Sequence, residues 1–183
     1  MDDHDAIQRM KNGEISGLEV LVHRYQVKAV RTAFLVTQDE TLAEDIVQET
    51  FIRLYQRIHL FDDDRPFEPY LMRSVVNGAL NSVRRDRKFV SLDGNPTLVE
   101  TLIEKAAPVE SQVASAQLSD EILDALAKLS PRQRAVIVQR YYLEMSEKEM
   151  ARALAAPPGT IKWLLNAART RLRSLLSPER SQQ

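Results

Sequence analysis

The 183-residue sequence contains no cysteine. This absence excludes disulfides, thiolate zinc sites and a cysteine nucleophile, and it fits a reducing cytoplasm. Only five residues are glycine and only 6% are aromatic, so a β-rich fold with many tight turns is not expected. No apolar run approaches the roughly 20 residues that a membrane helix needs, and the acidic N-terminus lacks the apolar core of a signal peptide. Neither a P-loop nor a GxGxxG motif is present.

The formal net charge of −1 conceals four blocks of alternating sign. Residues 1–64 carry a net charge of −6, and residues 65–92 carry +4. Residues 93–127 carry −6, and residues 128–183 carry +7. Basic blocks suit phosphates, whereas acidic blocks suit basic protein partners or repel nucleic acid.

Apolar residues at helical spacing run through the first half of the chain. Ser16 and Glu19 have the spacing of a capping box, which predicts a helix over residues 16–36. A second helix is predicted over residues 40–60. The run Asp62, Asp63 and Asp64 with Pro66 predicts the start of a third helix that continues to about Lys88. Its predicted apolar side consists of Phe67, Leu71, Val75, Ala79 and Val83.

A polar face runs along that third helix. Its members are spaced by three or four residues: Tyr70, Arg73, Asn77, Asn81, Arg84 and Lys88. Cations neutralise phosphates, amides pair with base edges, and an aromatic ring stacks on an unpaired base. The mixture suits a separated strand better than a smooth duplex. The competing interpretation is a solvated face whose arginines complement the helix dipole.

Residues 130–173 have the pattern of a helix-turn-helix. Ser130 with Gln133 and Ser146 with Glu149 are two capping-box starts. The Pro-Pro-Gly at 157–159 separates the second of these helices from a last helix, predicted from about Pro158 to Leu176. In such a motif the second helix enters the major groove. Trp163 fits either a thymine contact or packing between helices.

The predicted fold class is all-α, with two small helical domains joined by a flexible linker. Residues 1–92 form the first domain and residues 118–183 the second. Residues 93–117 contain Gly94, Pro96 and Pro108 without sustained periodicity, so they are predicted to be an acidic linker.

Three segments in this order resemble an extracytoplasmic-function sigma factor of bacterial RNA polymerase. AEDIVQETFIRLYQRI at 43–58 resembles the region-two segment that docks on the polymerase clamp. RPFEPYLMRSVVNGALNSVRRDRK at 65–88 resembles the segment that melts and reads the minus-ten element. Residues 129–173 resemble region four, which reads the minus-thirty-five element.

The resemblance implies a role for particular residues. Core-polymerase binding is implied for Asp45, Gln48 and Glu49. Minus-ten DNA binding is implied for the polar face of the third helix, namely Tyr70, Arg73, Asn77, Asn81, Arg84, Arg85 and Lys88. Minus-thirty-five DNA binding is implied for Thr160, Lys162, Trp163, Asn166, Arg169 and Arg173.

The resemblance also implies partners. These are the β′ clamp and β flap of core RNA polymerase, duplex promoter DNA with its non-template single strand, and an anti-sigma factor that would cover the polymerase-binding faces. The acidic linker would run toward the active site and the RNA-exit path. No cofactor, metal, catalytic residue or direct membrane insertion is implied. The implied location is the cytoplasm, where an anti-sigma partner could hold the chain at the membrane.

The chain departs from the family pattern at several positions. Tyr70 stands where family members often have tryptophan, and Asn81 stands where they often have aspartate. The last helix reads GTIKWLLNAAR instead of GTVKSRL followed by a basic residue, and Ala155 occupies a turn position where glycine is frequent. Fewer cations on the last helix imply a different upstream element or weaker contact with it.

Three other functions remain open on sequence grounds. A helix-turn-helix repressor or activator acting without polymerase would explain the C-terminal part alone. A metal enzyme would use acidic pairs such as Glu44-Asp45 and Asp62-Asp63, although His4, His23 and His59 show no ligand spacing with them. A helical adaptor would bind protein only.

Overall fold

The computed structural model describes residues 1–86 and 112–176, and every regular element in these ranges is helical. The chain divides into two compact units, Met1–Asp86 and Arg87–Gln183. None of the described helices is long and apolar enough to cross a membrane. Lys88 and most of the predicted linker at 93–117 lie outside the described residues.

The first unit contains four α-helices. They are α1 (Asp3–Lys11), α2 (Ile15–Thr37), α3 (Glu40–Gln56) and α4 (Phe67–Asp86), with a 3₁₀ turn at Ile58–Leu60. Helix α2 packs against each of the other three, and α3 also packs against α4. Helix α4 buries Phe67, Leu71, Val75 and Ala79 as predicted, whereas Val83 is only half-buried.

Helix α1 was not predicted, and it changes how α2 begins. The predicted capping box at Ser16 and Glu19 is wrong, because α2 begins at Ile15 and its N-cap Glu14 makes no side-chain capping bond. A tight turn sets the start instead, since the Glu14 amide donates to the Arg9 carbonyl at 2.9 Å. Gly17 allows α1 to cross closely, because a Cβ there would lie 2.2 Å from the Ala6 carbonyl oxygen.

Side-chain contacts tie α1 to the rest of the unit. The Tyr25 hydroxyl donates to Asp3 at 2.5 Å, and Arg24 forms an ion pair with the same carboxylate. Burial and then the bond to Asp3 raise the pKa of Tyr25 to about 12. At the other end of α1, Lys11 donates to Asp63 at 2.8 Å and to the Phe61 carbonyl at 3.0 Å. Helix α1 therefore fixes the segment that leads into α4.

Two predicted boundaries in this unit need correction. The helix predicted over 40–60 ends at Gln56, because the chain turns into the 3₁₀ segment that places Ile58 in the core. The helix predicted from Pro66 begins at Phe67. Asp63 in the preceding acidic run bonds to Lys11 and to Gln8 of α1.

The second unit contains α5 (Gln112–Ala127), α6 (Pro131–Ile137), α7 (Glu147–Ala153) and α8 (Pro158–Leu176). Helix α5 begins at Gln112, so it enters the segment predicted to be linker. Both predicted capping boxes are confirmed: Ser130 with Gln133 starts α6, and Ser146 with Glu149 starts α7. The bonds from Ser146 lower the pKa of Glu149.

Helix α6 continues into a π-helical turn, Val138–Tyr142, which the sequence did not predict. The Leu143 amide closes this turn on the Val138 carbonyl at 3.0 Å. The bounds predicted for α8 are confirmed. On its inner side Ile161, Leu165 and Ala168 are buried, while Leu172 and Leu175 are half-buried.

Candidate nucleic-acid interface

Helix α3 presents a polar outer face in the first unit. Asp45, Gln48 and Glu49 are exposed, while their neighbours on the inner side pack in the core. Glu49 pairs with Arg53 one turn later at 2.8 Å. Ile52, 48% exposed, continues the face because it follows Gln48 and Glu49 by four and three residues. Ile52 was not predicted to belong to this face, although the same helical spacing indicates it.

Helix α4 places five of the seven predicted minus-ten residues at the surface. These are Tyr70, Arg73, Asn81, Arg84 and Arg85, whereas Asn77 is half-buried. Lys88 lies outside the described residues. Arg73, Arg84 and Arg85 form no ion pair with a carboxylate in the described ranges. In this part of the chain no carboxylate neutralises their charges.

The inner side of α4 fixes the direction of this polar face. Leu71, Val75, Val76 and Ala79 are fully buried. Gly78 lets α3 approach, because a Cβ there would lie 3.0 Å from the Ile46 side chain. Rotation of α4 about its axis would expose the apolar side, so packing holds the polar face outward.

Tyr70 begins the polar face and rests on an aromatic neighbour. Its ring centroid lies 5.0 Å from that of Phe61, and Phe61 contacts Phe67 at 5.7 Å. The Tyr70 side chain is nevertheless 41% exposed. One part of the ring is packed and another can stack on a partner.

Helices α7 and α8 form the predicted helix-turn-helix. The Ala156 amide donates to the Ala151 carbonyl at 3.0 Å, and the Ala155 amide donates to Arg152 at 3.4 Å, which is a Schellman ending for α7. Ala155 has a φ of 48°. It adopts the left-handed conformation that glycine favours, so the turn keeps its geometry without glycine.

Most of the predicted minus-thirty-five residues are exposed on α8. They are Thr160, Lys162, Trp163, Asn166 and Arg173. Trp163 is 67% exposed, so it does not pack in the core of this unit. Its neighbours in a shallow hollow along α8 include Asn166, Ala167 and Thr170. The structure thus leaves the indole accessible to a partner.

Arg169 is half-buried and has a partner within the unit. Its Nε donates to the hydroxyl of Tyr141 at 2.8 Å, and its Cζ lies 5.7 Å from the centroid of that ring. Nothing in the sequence pairs Tyr141 with Arg169, because they lie 28 residues apart on different helices.

One of the two acidic pairs considered for a metal, Asp62 with Asp63, has protein partners. Asp62 pairs with Arg65 at 3.0 Å, and Asp63 pairs with Lys11 at 2.8 Å. The bond from Lys11, followed by the bond from Gln8, lowers the pKa of Asp63. In residues 1–86 and 112–176, no group of three or more His, Asp or Glu side chains is arranged to hold a metal ion.

Models of two sequence families match the two units. The family described as Sigma-70 region 2 matches residues 21–89, and the family described as Sigma-70, region 4 matches residues 119–172.

Named relatives match nearly the whole chain. The chain is 30% identical to the ECF RNA polymerase sigma factor SigW of Bacillus subtilis (strain 168), over 93% of this chain and 94% of that protein. It is 34% identical to the RNA polymerase sigma-E factor of Streptomyces coelicolor, over 90% of this chain and 88% of that one.

Solved structures show the same fold. CnrH, solved in complex with the cytosolic domain of CnrY, has a TM-score of 0.66 at 24% identity, covering 97% of this chain and 98% of that chain. The sigma factor RpoE of Bartonella quintana, solved with the anti-sigma factor NepR, has a TM-score of 0.64 at 22% identity, covering 88% and 98%.

The two family matches cover most of the two helical units that carry the exposed polar faces of α4 and α8. The similarity to the two named sigma factors extends over 93% and 90% of this chain. The chain belongs to the extracytoplasmic-function sigma factors, which direct bacterial RNA polymerase to begin transcription at particular promoters.

Proposed function

We propose that this sigma factor binds core polymerase and promoter DNA through three separate faces. The outer face of α3, with Asp45, Gln48 and Glu49, binds the polymerase clamp. The polar face of α4 binds the minus-ten element and its non-template strand. The outer face of α8 binds the minus-thirty-five element, and the second unit also binds the β flap.

One observation carries this proposal: each unit has its own exposed cationic helix face, to which the described part of the chain supplies no carboxylate partner. On α4 the face includes Arg73, Arg84 and Arg85, and on α8 it includes Lys162 and Arg173. Within the described residues none of these cations forms an ion pair. Two such faces suit a long anionic ligand that can be bound at two separate places, as promoter DNA can.

The two faces differ in a way that suits different forms of DNA. The α4 face combines the partly exposed ring of Tyr70 with Asn81 and arginines, and it would stack and pair with bases that have left the duplex. Unstacking a base costs a few kcal/mol, which stacking and phosphate contacts offset. The α8 face belongs to a helix-turn-helix, whose second helix reads an intact major groove.

The α3 face is chemically distinct from both DNA faces. It carries two carboxylates and an amide beside the exposed side chain of Ile52. Carboxylates repel DNA, while an apolar side chain among them can be buried by a protein partner. Ile52 therefore joins the proposed polymerase-binding residues.

An anti-sigma protein is a proposed second partner, which would compete with polymerase for these faces in the cytoplasm. Support comes from the relative RpoE, which was solved with the anti-sigma factor NepR. The proposed role is binding and positioning without catalysis of a reaction by this chain.

Run-off transcription tests the proposed function. Purified chain and core polymerase are mixed with genomic DNA fragments, and discrete transcripts that require the chain are expected. Core polymerase alone is the control. If no fragment yields a chain-dependent start in the absence of any inhibitor, the proposal fails. Binding of a palindromic duplex without polymerase would point instead to a repressor.

A further inference from the structure

The π-helical turn at Val138–Tyr142 brings a tyrosine to the surface of the second unit. Val138 and Gln139 are buried in this turn, whereas Tyr141 is 59% exposed. A π turn contains an extra residue compared with an α turn, so it redirects the side chains that follow it. Such turns are rare and occur frequently at functional sites. The redirected side chain here is the one that meets Arg169 of α8.

Among the residues that the structure describes, the contact with Tyr141 leaves most donors of Arg169 unused. The guanidinium uses its Nε–H for the bond to the Tyr141 oxygen at 2.8 Å. A guanidinium has five N–H groups, so the four on its two terminal nitrogens are not needed for this bond. A tyrosine oxygen that accepts a hydrogen bond still has its own proton to donate. The pair therefore offers a guanidinium and a phenol O–H side by side.

Arg169 also belongs to a line of polar groups along α8. Lys162, Asn166, Arg169 and Arg173 are spaced by four, three and four residues, which places them along one side of the helix. Within the described ranges Arg169 forms no ion pair with a carboxylate. A cation held in place without a carboxylate is suited to an anion from outside the chain.

We propose that Tyr141 and Arg169 form a phosphate clamp that binds one backbone phosphate of duplex DNA. Arg169 supplies the charge and a two-pronged set of donors for the phosphate oxygens. Tyr141 holds the guanidinium through Nε and donates its own O–H to the same phosphate. The clamp rests on the proposed function, in which α8 lies in the major groove of the upstream element.

The first test measures DNA affinity of the holoenzyme, formed from the full chain and core polymerase, on a fragment that the wild type selects. Tyr141→Phe keeps the ring and removes only the hydroxyl. We expect it to weaken binding about tenfold, as the loss of a hydrogen bond to a charged group does, without lowering the melting temperature of the chain. Arg169→Gln should weaken binding further. It should also reduce the slope of log affinity against log salt by about 0.9, the value for one released counterion.

The second test locates the phosphate. Neutral methylphosphonate replaces each upstream-element phosphate in turn. At one position the neutral linkage should lower the affinity of the wild type. At that position it should cause no further loss of affinity in Tyr141→Phe or Arg169→Gln, whose clamp is already broken. Arg171→Gln is the matched control, because Arg171 is exposed on another side of the same helix. It should show no such coupling at that position.

The outcomes separate the clamp from the proposed function. If the wild-type holoenzyme selects no DNA, the proposed function fails and the clamp fails with it. If the wild type selects DNA but Tyr141→Phe binds equally well, only the clamp is refuted. It is also refuted if Tyr141→Phe weakens binding to core polymerase but not to DNA, because the anion would then be a protein carboxylate.

Discussion

Ala155 carries a backbone conformation that its side chain disfavours. Its φ of 48° lies in the left-handed region, where a Cβ costs roughly 1–2 kcal/mol. Gln38, with a φ of 61°, is in the same region at the end of α2, but its side chain donates to the Leu35 carbonyl at 3.1 Å. Alanine has no such compensation. The helix-turn-helix therefore contains a local strain at its turn.

Replacing Ala155 with glycine should stabilise the second unit. We expect Ala155→Gly to raise the free energy of unfolding by about 0.5–1 kcal/mol, because relief of the strain exceeds the added entropy of the unfolded chain. Denaturant unfolding measures the change. Ala156→Gly is the matched control: Ala156 has no positive φ, so the same change should lower stability. Equal destabilisation by both changes would contradict the strain argument.

Gln139 is a buried amide without a hydrogen-bond partner in the described part of the chain. Its side chain is fully buried, and neither its oxygen nor its nitrogen is bonded. Gln139→Met keeps the length of the side chain and removes both polar atoms. We therefore expect the free energy of unfolding to rise by about 1–3 kcal/mol. Gln133→Met, which removes an acceptor from the capping box of α6, should instead destabilise. A loss of stability in Gln139→Met would show that the amide is bonded in solution.

At the scale of elements, α1 shows how a helix that touches no proposed ligand still shapes a site. It binds the segment before α4 through Lys11, whose ammonium reaches both Asp63 and the Phe61 carbonyl. Phe61 in turn supports the ring of Tyr70. The start of the proposed minus-ten face therefore depends on a helix far away in sequence.

The contact between Asp63 and Lys11 should make the first unit sensitive to acid. The lowered pKa of Asp63 means that the folded state favours the charged carboxylate. Its stabilising effect is present above the ordinary pKa of 3.8 and is lost as pH falls through the lower folded-state pKa. Asp63→Asn should therefore be less stable than the wild type near neutral pH, and the difference should shrink below the ordinary pKa.

Denaturant unfolding of both proteins from neutral pH to a pH of about 3 measures this difference. Asp64→Asn is the control, since it removes the same charge one residue away without breaking an ion pair. A stability difference that stays constant with pH would rule out the ionised carboxylate as its source.

The polar face of α4 should act after polymerase binding. The double variant Asn81→Ala with Arg84→Ala removes one amide and one cation from exposed positions. We expect open-complex formation to fall about tenfold or more, since a good base contact alone contributes roughly 1–3 kcal/mol. Permanganate reactivity of unpaired thymines measures opening, and co-migration with core polymerase measures binding, which should be retained.

A second double variant serves as the control for α4. Arg9→Ala with Gln26→Ala likewise removes one arginine and one side-chain amide, from exposed positions on α1 and α2. It should open the promoter like the wild type. If the α4 variant also melts the promoter normally, the minus-ten assignment is wrong.

At the scale of the whole molecule, the two proposed DNA-binding faces should act on different promoter elements. We expect Lys162→Ala with Asn166→Ala to make transcription insensitive to substitutions in the upstream element, because the proposed function assigns base contacts there to these side chains. With the wild type, the same substitutions should lower transcription about tenfold or more. Run-off transcription on paired templates measures both.

Promoter opening separates this effect from the α4 face. The Lys162 and Asn166 variant should still open the promoters to which it binds. The Asn81 and Arg84 variant should still bind promoter DNA less tightly when the upstream element is substituted. Lys128→Ala, at an exposed position between α5 and α6, is the control. Retained discrimination by the α8 variant would mean that other residues read the upstream element.

The sequence predicted those features that depend on neighbouring residues. Ser130 with Gln133 and Ser146 with Glu149 predicted two helix starts, because a capping box forms within one turn. The same local logic failed at Ser16 and Glu19, where the turn from α1 sets the helix start. The exposed faces of α3, α4 and α8 followed from helical spacing once the helices were known.

Contacts between distant segments were decided only in three dimensions. Lys11 with Asp63, Tyr70 with Phe61, and Tyr141 with Arg169 each join different elements. Periodicity gives the side of a helix on which a residue lies, but not the element that packs there or the π turn that redirects Tyr141. Local spacing thus sufficed for the all-α fold, and the resemblance of three segments sufficed for the family. Packing determined which side chains are held in place and which remain available to a partner.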